Sequence, residues 1–581
     1  MHKNEVFYMF EIKDEFYLDK KPFKIISGSF HYFRTVPEYW QDRLEKLVNM
    51  GCNTVETYIP WNFHEANKGE FCFDGDRDIE RFIRLAKELG LYMIIRPSPY
   101  ICAEWEFGGL PAWLLRDRNM RLRCSYEPYL KAVKDYYSVL IPKLVPYQID
   151  RGGNIILIQI ENEYGYYGND TAYLEFLRDT MREMGITVPF VTSDGPWSEQ
   201  VFKSGMVGEA LPTGNFGSAA EWQFGQMKQF IGEDKPLMCM EFWNGWFDAW
   251  GEEHHTTPSE KAAAELEEIL KRGSVNFYMF EGGTNFGFMS GRNGGSKTGD
   301  VTSYDYDAPL TEDGQITAKY EAFQNVLAKY TDIKTVPLSM DIKRKSYGTI
   351  SCTGRADLFS VLEKISEPVR SVYPLTMEDI GQNYGYILYR TKLKDGETVN
   401  GIRLENAADR IECYHNGEYV YTAFGENIHE KFEPTEKRTG GVIDLLCENI
   451  GRENFGTGLE SQRKGISGGV AINDHRQFGF EIFPLPLDEE QIGKISFDEG
   501  YSEGRPAFYR FEFEADELGD TFLETEGFGK GCAFINDFNL GRFWDIGPQK
   551  KLYLPAPLLK KGKNTVIIFE TEGQAADHIK I

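Results

Sequence analysis

Short apolar segments alternate with amphipathic helical segments over the first 330 residues, and this alternation constrains the fold more than any other feature of the sequence. Segments such as DRDIERFIRLAKELG lie between the apolar runs and end at a glycine, as helices commonly do. The eight predicted strands are residues 23–30, 53–59, 91–97, 154–161, 188–193, 206–211, 236–242 and 275–280. Eight strands that alternate with helices predict a (β/α)₈ TIM barrel at residues 1–330.

The pattern changes after about residue 340, where period-two runs bounded by turn residues replace the helical periodicity. Examples are YGYILYRTKL and AFYRFEFEA, and the Asn-Gly pair in HNGEYV predicts a hairpin turn. The remaining chain is too long for one small sandwich. We therefore predict two all-β domains of the β-sandwich or jelly-roll type, at residues 335–490 and 491–581, and leave open whether they exchange strands.

Charge and cysteine content restrict the partners that this chain can have. A net charge of −26 and a pI near 4.9 argue against nucleic acid or an anionic membrane surface. Residues 1–21 show no signal-peptide core and are predicted to begin with a strand. The nine cysteines are scattered without metal-ligand spacing, so we expect reduced thiols, a cytoplasmic location, and neither a metal nor another cofactor.

Two glutamates follow the apolar residues of the fourth predicted strand, in the stretch QIENEYG at residues 159–165. Burying an unpaired carboxylate is costly, so such a placement needs a reason. Because side chains alternate along a strand, Gln159, Glu161 and Glu163 are expected to share the face toward the barrel interior. Barrel enzymes carry their chemistry at the C-terminal ends of the strands, which predicts Glu163 at the mouth and Glu161 deeper, as a structural group.

The seventh predicted strand also ends in a carboxylate, since PLMCMEFWNGWFDAW places Glu241 just before a cluster of aromatic residues. Strands four and seven would then deliver one carboxylate each to the same rim. Such a pair fits glycoside hydrolysis, in which one carboxyl group protonates the leaving oxygen and the other attacks or activates water. The pattern alone leaves other carboxylates as alternatives: Glu56, Glu104, Glu106, Asp305 and Asp307.

Tryptophan is concentrated in the first 250 residues, which hold nine of the ten in the chain. Many of these lie beside acidic and amide residues in Gly- and Pro-rich stretches. Indole rings stack on sugar rings while neighbouring polar groups bind hydroxyls, so this mixture favours a carbohydrate site.

Four separated motifs together resemble glycoside hydrolase family 35, the β-galactosidases. They are RPSPYICAEWEFGGLPAWLL (96–115), IENEYG (160–165), EFWNGWFDAWG (241–251) and GGTNFG with TSYDYDAPL (282–310). Downstream, FINDFNLGRFWDIGPQKKLYLP resembles the last β-domain of that family, so the similarity covers nearly the whole chain. The bacterial, intracellular-type members that prefer β1-3 linkages are the most similar.

The resemblance implies hydrolysis with retention of configuration, by double displacement. Glu163 would be the acid/base, Glu241 the nucleophile, and Asn162 a ligand of the sugar 2-hydroxyl. Cys102, Ala103 and Glu104 would grip galactose hydroxyls, although Cys102 can instead contribute its backbone alone. Tyr58 and Tyr306 would line the same pocket, with a core position as the alternative for Tyr58.

Three aromatic residues are expected to contact the leaving sugar. Trp243 and Trp246 follow the predicted nucleophile, and Phe455 lies in a Gly-rich loop of the first β-domain, where similar proteins can carry tyrosine. The alternative is that both tryptophans pack beneath the rim and that Phe455 anchors its own loop.

The sequence therefore predicts an exo-β-galactosidase that acts on galactose-terminated oligosaccharides, with a preference for β1-3 linkages. A retaining exo-glycosidase for another β-sugar and an inactive carbohydrate-binding protein remain as alternatives. A homodimer is possible, and the sequence leaves the oligomeric state open.

Overall fold

A computed structural model describes residues 9–581. The first strand predicted within residues 1–21 lies partly in residues 1–8, outside the described residues. The described part of that segment forms a small antiparallel sheet of Phe10–Ile12, Phe16–Leu18 and Lys21–Pro22. Within residues 9–581, no helix is long and apolar enough to cross a membrane.

A closed barrel of eight parallel strands forms the N-terminal part of the chain, as predicted. Each strand pairs with the next, and β8 closes the ring on β1. The strands are β1 Ile26–Phe30, β2 Thr54–Tyr58, β3 Tyr92–Arg96, β4 Ile155–Gln159, β5 Phe190–Asp194, β6 Ala210–Phe216, β7 Met238–Trp243 and β8 Ser274–Glu281.

Amphipathic helices cover the barrel because each has one apolar face. In Ile79–Glu88, the Asp78 side chain caps the N-terminus by accepting from the Arg81 N–H at 2.8 Å, and the apolar face is buried. The other helices of eight or more residues in this part are Trp40–Met50, Glu127–Leu144, Thr171–Glu183, Ala220–Ile231, Ser259–Leu270 and Ala318–Leu327. Shorter ones are Trp61–His64, Tyr164–Tyr167 and Glu199–Ser204.

The sixth strand was predicted at 206–211, but β6 begins at Ala210 and ends at Phe216. The apolar residues Met206 and Val207 lie in the loop before β6, ahead of a turn at Gly208 and Glu209, and Glu209 has a left-handed φ of 66°. The strand itself carries polar residues such as Thr213 and Asn215, which are fully buried. Polar side chains that enclose a site interrupt the apolar pattern by which a strand is detected, and this explains the shift.

Two packed sheets form the first all-β domain. The six-stranded sheet has the order Val369–Ser371, Phe480–Leu485, Tyr386–Lys392, Val442–Glu448, Arg410–His415 and Glu418–Phe424. The predicted Asn-Gly turn joins the last two strands, with φ of 51° at Asn416 and 78° at Gly417. A three-stranded sheet consists of Ile402–Ala408, Gly465–Ile472 and His475–Arg476.

The C-terminal domain is built on an eight-stranded antiparallel sheet, in the order Phe538–Trp544, Lys530–Ile535, Gly562–Glu570, Ala507–Ala515, Thr349–Asp357, His578–Lys580, Thr521–Glu524 and Lys551–Leu554. The strand Thr349–Asp357 precedes the first all-β domain in the chain yet pairs with Ala507–Ala515. The chain therefore crosses between the two β-domains, and no single divide near residue 490 separates them.

The first β-domain is fixed to the barrel by buried polar contacts. The fully buried Arg452 forms ion pairs with Glu106 of the barrel and, at 2.6 Å, with Glu378 of its own domain. Directly after Arg452, Glu453–Phe455 pairs in parallel with the barrel segment Arg292–Asn293. These contacts place the loop that carries Phe455 at the mouth of the barrel.

Candidate active site

A cavity of about 340 Å³ lies at the C-terminal ends of the barrel strands. It is lined by Cys102, Ala103, Glu104, Asn162, Glu163, Tyr166, Trp197, Glu241, Trp243, Trp246, Phe247, Tyr278, Asn293, Tyr306 and Phe455. This set contains every residue that the sequence predicted for the site except Tyr58. A larger cavity of about 730 Å³ lies beside the beginnings of β5 and β6, and neither Glu163 nor Glu241 lines it.

Glu241 lies near the end of β7 and is held on both carboxylate oxygens. Its Oε1 accepts from Arg96 Nη2 at 2.6 Å and from the Tyr58 hydroxyl at 3.0 Å, and its Oε2 accepts from Trp243 Nε1 at 3.1 Å. A register shift against β6 at Cys239–Glu241 marks a bulge, a device that re-aims a side chain. The contact with the buried Arg96 guanidinium is a charge-assisted hydrogen bond, which is shorter and stronger than a neutral one.

Glu163 reaches the same cavity by a different backbone path. The expectation that Glu161 and Glu163 continue one face of the strand is wrong, because β4 ends at Gln159 and both glutamates have left-handed φ angles of 56° and 45°. Glu163 Oε1 accepts from Asn215 Nδ2 at 3.1 Å. Burial and the negative charge of Glu241 raise the pKa of Glu163 from 4.5 to about 8, which keeps this carboxyl protonated near neutral pH.

Glu161 turns away from the cavity and forms a structural ion pair. Its two oxygens accept from Arg123 Nε at 3.0 Å and Nη2 at 2.9 Å, and the Tyr173 hydroxyl donates to Oε1 at 2.9 Å. Arg123 also donates to the Asn162 carbonyl at 2.8 Å. This pair supports the short turn that carries both Asn162 and Glu163.

Tyr58 lies beneath the cavity and is 1% exposed, so the prediction that it lines the pocket is wrong. Its hydroxyl contacts Glu241 Oε1 at 3.0 Å and Asn162 Oδ1 at 2.9 Å, and Arg96 also donates to Asn162 Oδ1. Because these donors, with Gln159, occupy the amide oxygen, Asn162 turns its Nδ2 donor the other way. That nitrogen has no hydrogen-bond partner within residues 9–581 and is free to bind a ligand.

Three successive left-handed residues form one wall of the cavity: Cys102, Ala103 and Glu104, with φ of 60°, 61° and 50°. Strained backbone of this kind clusters at functional sites. In the described part of the chain their three N–H groups have no partner, which leaves them free for a ligand. Burial raises the pKa of Glu104 to about 7, and the Tyr304 hydroxyl donates to its carboxylate.

Four of the five competing carboxylates lie outside the cavity lining. Glu106 pairs with Arg452, Asp307 pairs with Lys319 at 2.7 Å, and neither lines the cavity. Glu56 is fully buried behind Arg96, 3.8 Å from its guanidinium. Asp305 also lies outside the lining. Glu104 is thus the one alternative that the structure brings to the two predicted glutamates.

Aromatic rings surround the mouth in a continuous series. Adjacent ring centroids are 5.7 Å apart for Trp243 and Trp246, 5.8 Å for Trp197 and Trp243, and 5.9 Å for Tyr166 with both Trp197 and Phe455. Trp197 and Trp246 are 40% and 41% exposed. Phe455 therefore reaches the site from the first β-domain. We call these five residues the aromatic rim.

Several residues of the site were not predicted. Arg96 ends the apolar strand β3, so its position at a C-terminal strand end was a usable signal. Trp197 follows β5 by three residues and carried the same signal. Asn215 was hidden by the misplaced sixth strand, and Tyr278 lies within the apolar strand β8, where nothing in the pattern separates it from a core residue.

Comparison with known proteins relates the chain to one family over most of its length. Residues 15–330 match the family model Glycosyl hydrolases family 35. Residues 374–486 match the model for the β-galactosidase first all-beta domain, and residues 506–564 match the model for the β-galactosidase galactose-binding domain.

Relatives that are similar over nearly the whole chain occur in animals and plants. The chain is 40% identical to Beta-galactosidase-1-like protein 2 of Homo sapiens, over 96% of this chain and 88% of that protein. It is 37% identical to Beta-galactosidase 17 of Arabidopsis thaliana, over 98% and 89% of the two chains. It is 38% identical to the Beta-galactosidase of Mus musculus, over 96% and 91%. The barrel, its paired glutamates and these matches together place the chain in glycosyl hydrolases family 35, as a glycoside hydrolase.

Proposed function

We propose that the protein is a retaining exo-β-galactosidase that removes terminal β-D-galactose from oligosaccharides. The observation that carries the proposal is the difference between the two cavity glutamates. Glu241 accepts from the buried Arg96 guanidinium, whereas burial and the charge of Glu241 raise the pKa of Glu163 to about 8. One carboxylate and one carboxylic acid at the same site are what double displacement requires before the first step.

In the first step, the Glu241 carboxylate attacks the anomeric carbon as the glycosidic C–O bond breaks. Glu163 gives its proton to the departing oxygen, so the leaving sugar departs as a neutral alcohol. The resulting ester removes the negative charge of Glu241, and the pKa of Glu163 falls as a consequence. Glu163 then takes a proton from water, whose oxygen attacks the anomeric carbon; the bond from that carbon to Glu241 breaks, which restores the Glu241 carboxylate and releases galactose with retained configuration.

The remaining walls of the cavity suit one terminal sugar. Asn162 Nδ2 and the free N–H groups at Cys102, Ala103 and Glu104 supply donors for sugar hydroxyls, and Glu104 supplies an acceptor. Tyr278 and Tyr306, whose ring centroids are 5.7 Å apart, form an aromatic wall. The names of the relatives, which are β-galactosidases, support galactose as that sugar.

A fluorosugar experiment tests this function directly. A 2-deoxy-2-fluoro-galactosyl donor should label the protein covalently, and peptide mapping should find the label on Glu241. Label on Glu104 or Glu163 would contradict the assignment. Turnover of nitrophenyl β-galactoside, compared with β-glucoside and β-glucosaminide, separates galactose from other sugars. No turnover of any of them, with retained sugar binding, would support the binding-protein alternative.

We further propose that the aromatic rim selects the leaving sugar and favours β1-3 linkages. An exposed indole face can stack on a pyranose ring and costs little conformational entropy to hold in place. Alanine at Trp246 or Phe455 should lower kcat/KM for the preferred disaccharide by a factor equivalent to about 1–3 kcal/mol, the range for a lost packing contact, and hydrolysis of nitrophenyl galactoside should change less. Trp243→Ala should lower kcat/KM for the disaccharide as well, but it also removes a hydrogen bond to Glu241 and should therefore slow both substrates.

Trp222, which is 50% exposed and lies outside the cavity, provides the matched control as Trp222→Ala. A panel of β1-3, β1-4 and β1-6 galactosides measures the linkage preference of the unmodified enzyme. Equal losses on disaccharide and nitrophenyl substrates in the Trp246 and Phe455 variants, or a lower Tm in the rim variants alone, would make the rim structural.

A further inference from the structure

A second cavity of about 360 Å³ adjoins the active site on the side of Glu163. The two cavities share Glu163, Tyr166 and Phe455, so the residue Glu163 borders both. We call this second space the side cavity. Its volume lies within the usual range for small-molecule sites, about 300–1,000 Å³.

One wall of the side cavity holds a buried cation with a free donor. Arg123 lines the cavity, and its side chain is 2% exposed. Its Nε and Nη2 are bound to Glu161 and to the Asn162 carbonyl, while its Nη1 has no hydrogen-bond partner within residues 9–581. Tyr100 and Tyr167 hold the guanidinium in place, with ring centroids 3.5 Å and 4.4 Å from its carbon.

A second part of the lining is contributed by the first β-domain and supplies acceptors. Glu453 is 7% exposed and keeps one oxygen on Gln462 Nε2, at 2.9 Å. Gly294 and Gly456 leave room for the other oxygen, since a Cβ at these positions would stand 2.5 Å and 1.5 Å from it. Thr457 lines the cavity with an exposed hydroxyl side chain.

These groups suit a neutral ligand that is rich in hydroxyls. Glu161 neutralises Arg123, so the free Nη1 acts as a directed donor and not as an anion site. Glu453 and Thr457 provide acceptors across the cavity, and Tyr166, Tyr167 and Phe455 provide ring surfaces. Donors, acceptors and aromatic faces around one space are the features that bind a sugar ring.

We propose that the side cavity binds the second sugar of the leaving group. This sugar is next to the one whose glycosidic oxygen Glu163 protonates. The leaving group must lie beside the acid that protonates it, and the side cavity opens from that acid. The proposal rests on the proposed function, because it takes Glu163 as the acid. It makes the protein an enzyme for oligosaccharides longer than two sugars, with a subsite built jointly by the barrel and the first β-domain.

The unmodified enzyme provides the first test. We would compare kcat/KM for its best galactosyl disaccharide with that for the trisaccharide that extends the same disaccharide by one sugar at the reducing end. The trisaccharide should be favoured about tenfold, the lower end for one well-packed group in a pocket. A ratio near one would overturn the proposal and would mean that the side cavity holds solvent only.

A filled cavity provides the second test. Thr457→Trp places a large side chain in the cavity and should bring the trisaccharide-to-disaccharide ratio close to one. Thr435→Trp, an exposed position of the same domain outside the cavity, is the matched control and should keep the ratio. A preference that Thr457→Trp leaves unchanged would place the second sugar elsewhere. Absence of nitrophenyl galactoside hydrolysis in the unmodified enzyme would instead refute the proposed function.

Discussion

Glu241 and Glu163 are the same amino acid at the same barrel mouth, but the regions that hold them differ. Glu241 lies on a strand. Its Oε1 accepts from Arg96 and Tyr58, and its Oε2 accepts from Trp243. Glu163 lies on a left-handed turn and accepts one hydrogen bond, from the neutral amide of Asn215. The Arg96 guanidinium donates to Glu241 and not to Glu163. The difference teaches that surroundings, and not residue type, distinguish the two proposed roles.

The largest expected effect is the loss of the nucleophile. Glu241→Gln keeps the shape of the side chain but removes the attacking oxygen anion, and kcat should fall on the order of 10⁵-fold, as for other covalent nucleophiles. Steady-state hydrolysis of nitrophenyl galactoside measures it. Glu260→Gln, on the exposed face of a helix, should leave the rate unchanged. Residual activity within a hundredfold of the unmodified enzyme would move the nucleophile to another group.

The second-largest effect should depend on the leaving group of the substrate, and this dependence distinguishes Glu163 from Glu241. Glu163→Gln removes the proton donor, so hydrolysis of a disaccharide should slow by about 10²–10⁴-fold. A dinitrophenyl galactoside needs no proton on its leaving oxygen, and its first step should be affected far less. Equal losses on both substrates would show that Glu163 supports the site without acting as its acid.

A smaller effect should follow when the anchoring of Glu241 is weakened. Tyr58→Phe removes the hydroxyl that contacts both Glu241 and Asn162. A hydrogen bond to a charged group contributes about 1.5–3 kcal/mol, so kcat should fall roughly tenfold or more, and fluorosugar labelling should slow in parallel. Tyr389→Phe, which removes a buried hydroxyl of the first β-domain, controls for stability. Slower turnover with unchanged labelling would place the role of Tyr58 after the first step.

The smallest effect concerns pH and stability. Since burial raises the pKa of Glu163 from 4.5 to about 8, the folded protein binds a proton between these values that the unfolded chain has lost. The contribution of Glu163 to the free energy of unfolding therefore falls as pH rises from 4.5 to about 8. Glu163→Gln should accordingly raise Tm by a few degrees more at pH 8 than at pH 5.

The same titration limits the rate, because kcat/KM should decline as Glu163 loses its proton above about pH 8. Thermal melts at both pH values and a kcat/KM profile measure these effects. If Glu163→Gln changes Tm equally at pH 5 and pH 8, Glu163 is already ionised in the folded protein at pH 5.

The sequence by itself determined the barrel and the identity of the paired glutamates. Strand and helix periodicities of about 2 and 3.6 residues are local properties, so alternating segments predict eight strands even though β6 was misplaced. A parallel barrel brings all strand ends to one face, and this rule predicted Glu163 and Glu241 at the same rim across two intervening strands, while the resemblance to the family selected them from the other carboxylates.

Only the tertiary structure decided how these residues are held. The left-handed turn at Glu161 and Glu163, the position of Tyr58 beneath the cavity, and the strand Thr349–Asp357 in the last sheet depend on contacts between distant segments. The same is true of Phe455, which a buried Arg452–Glu106 ion pair brings from another domain to the active site. Such contacts leave no periodic signal in the chain, because what fixes them is the free energy of packing and pairing after the domains meet.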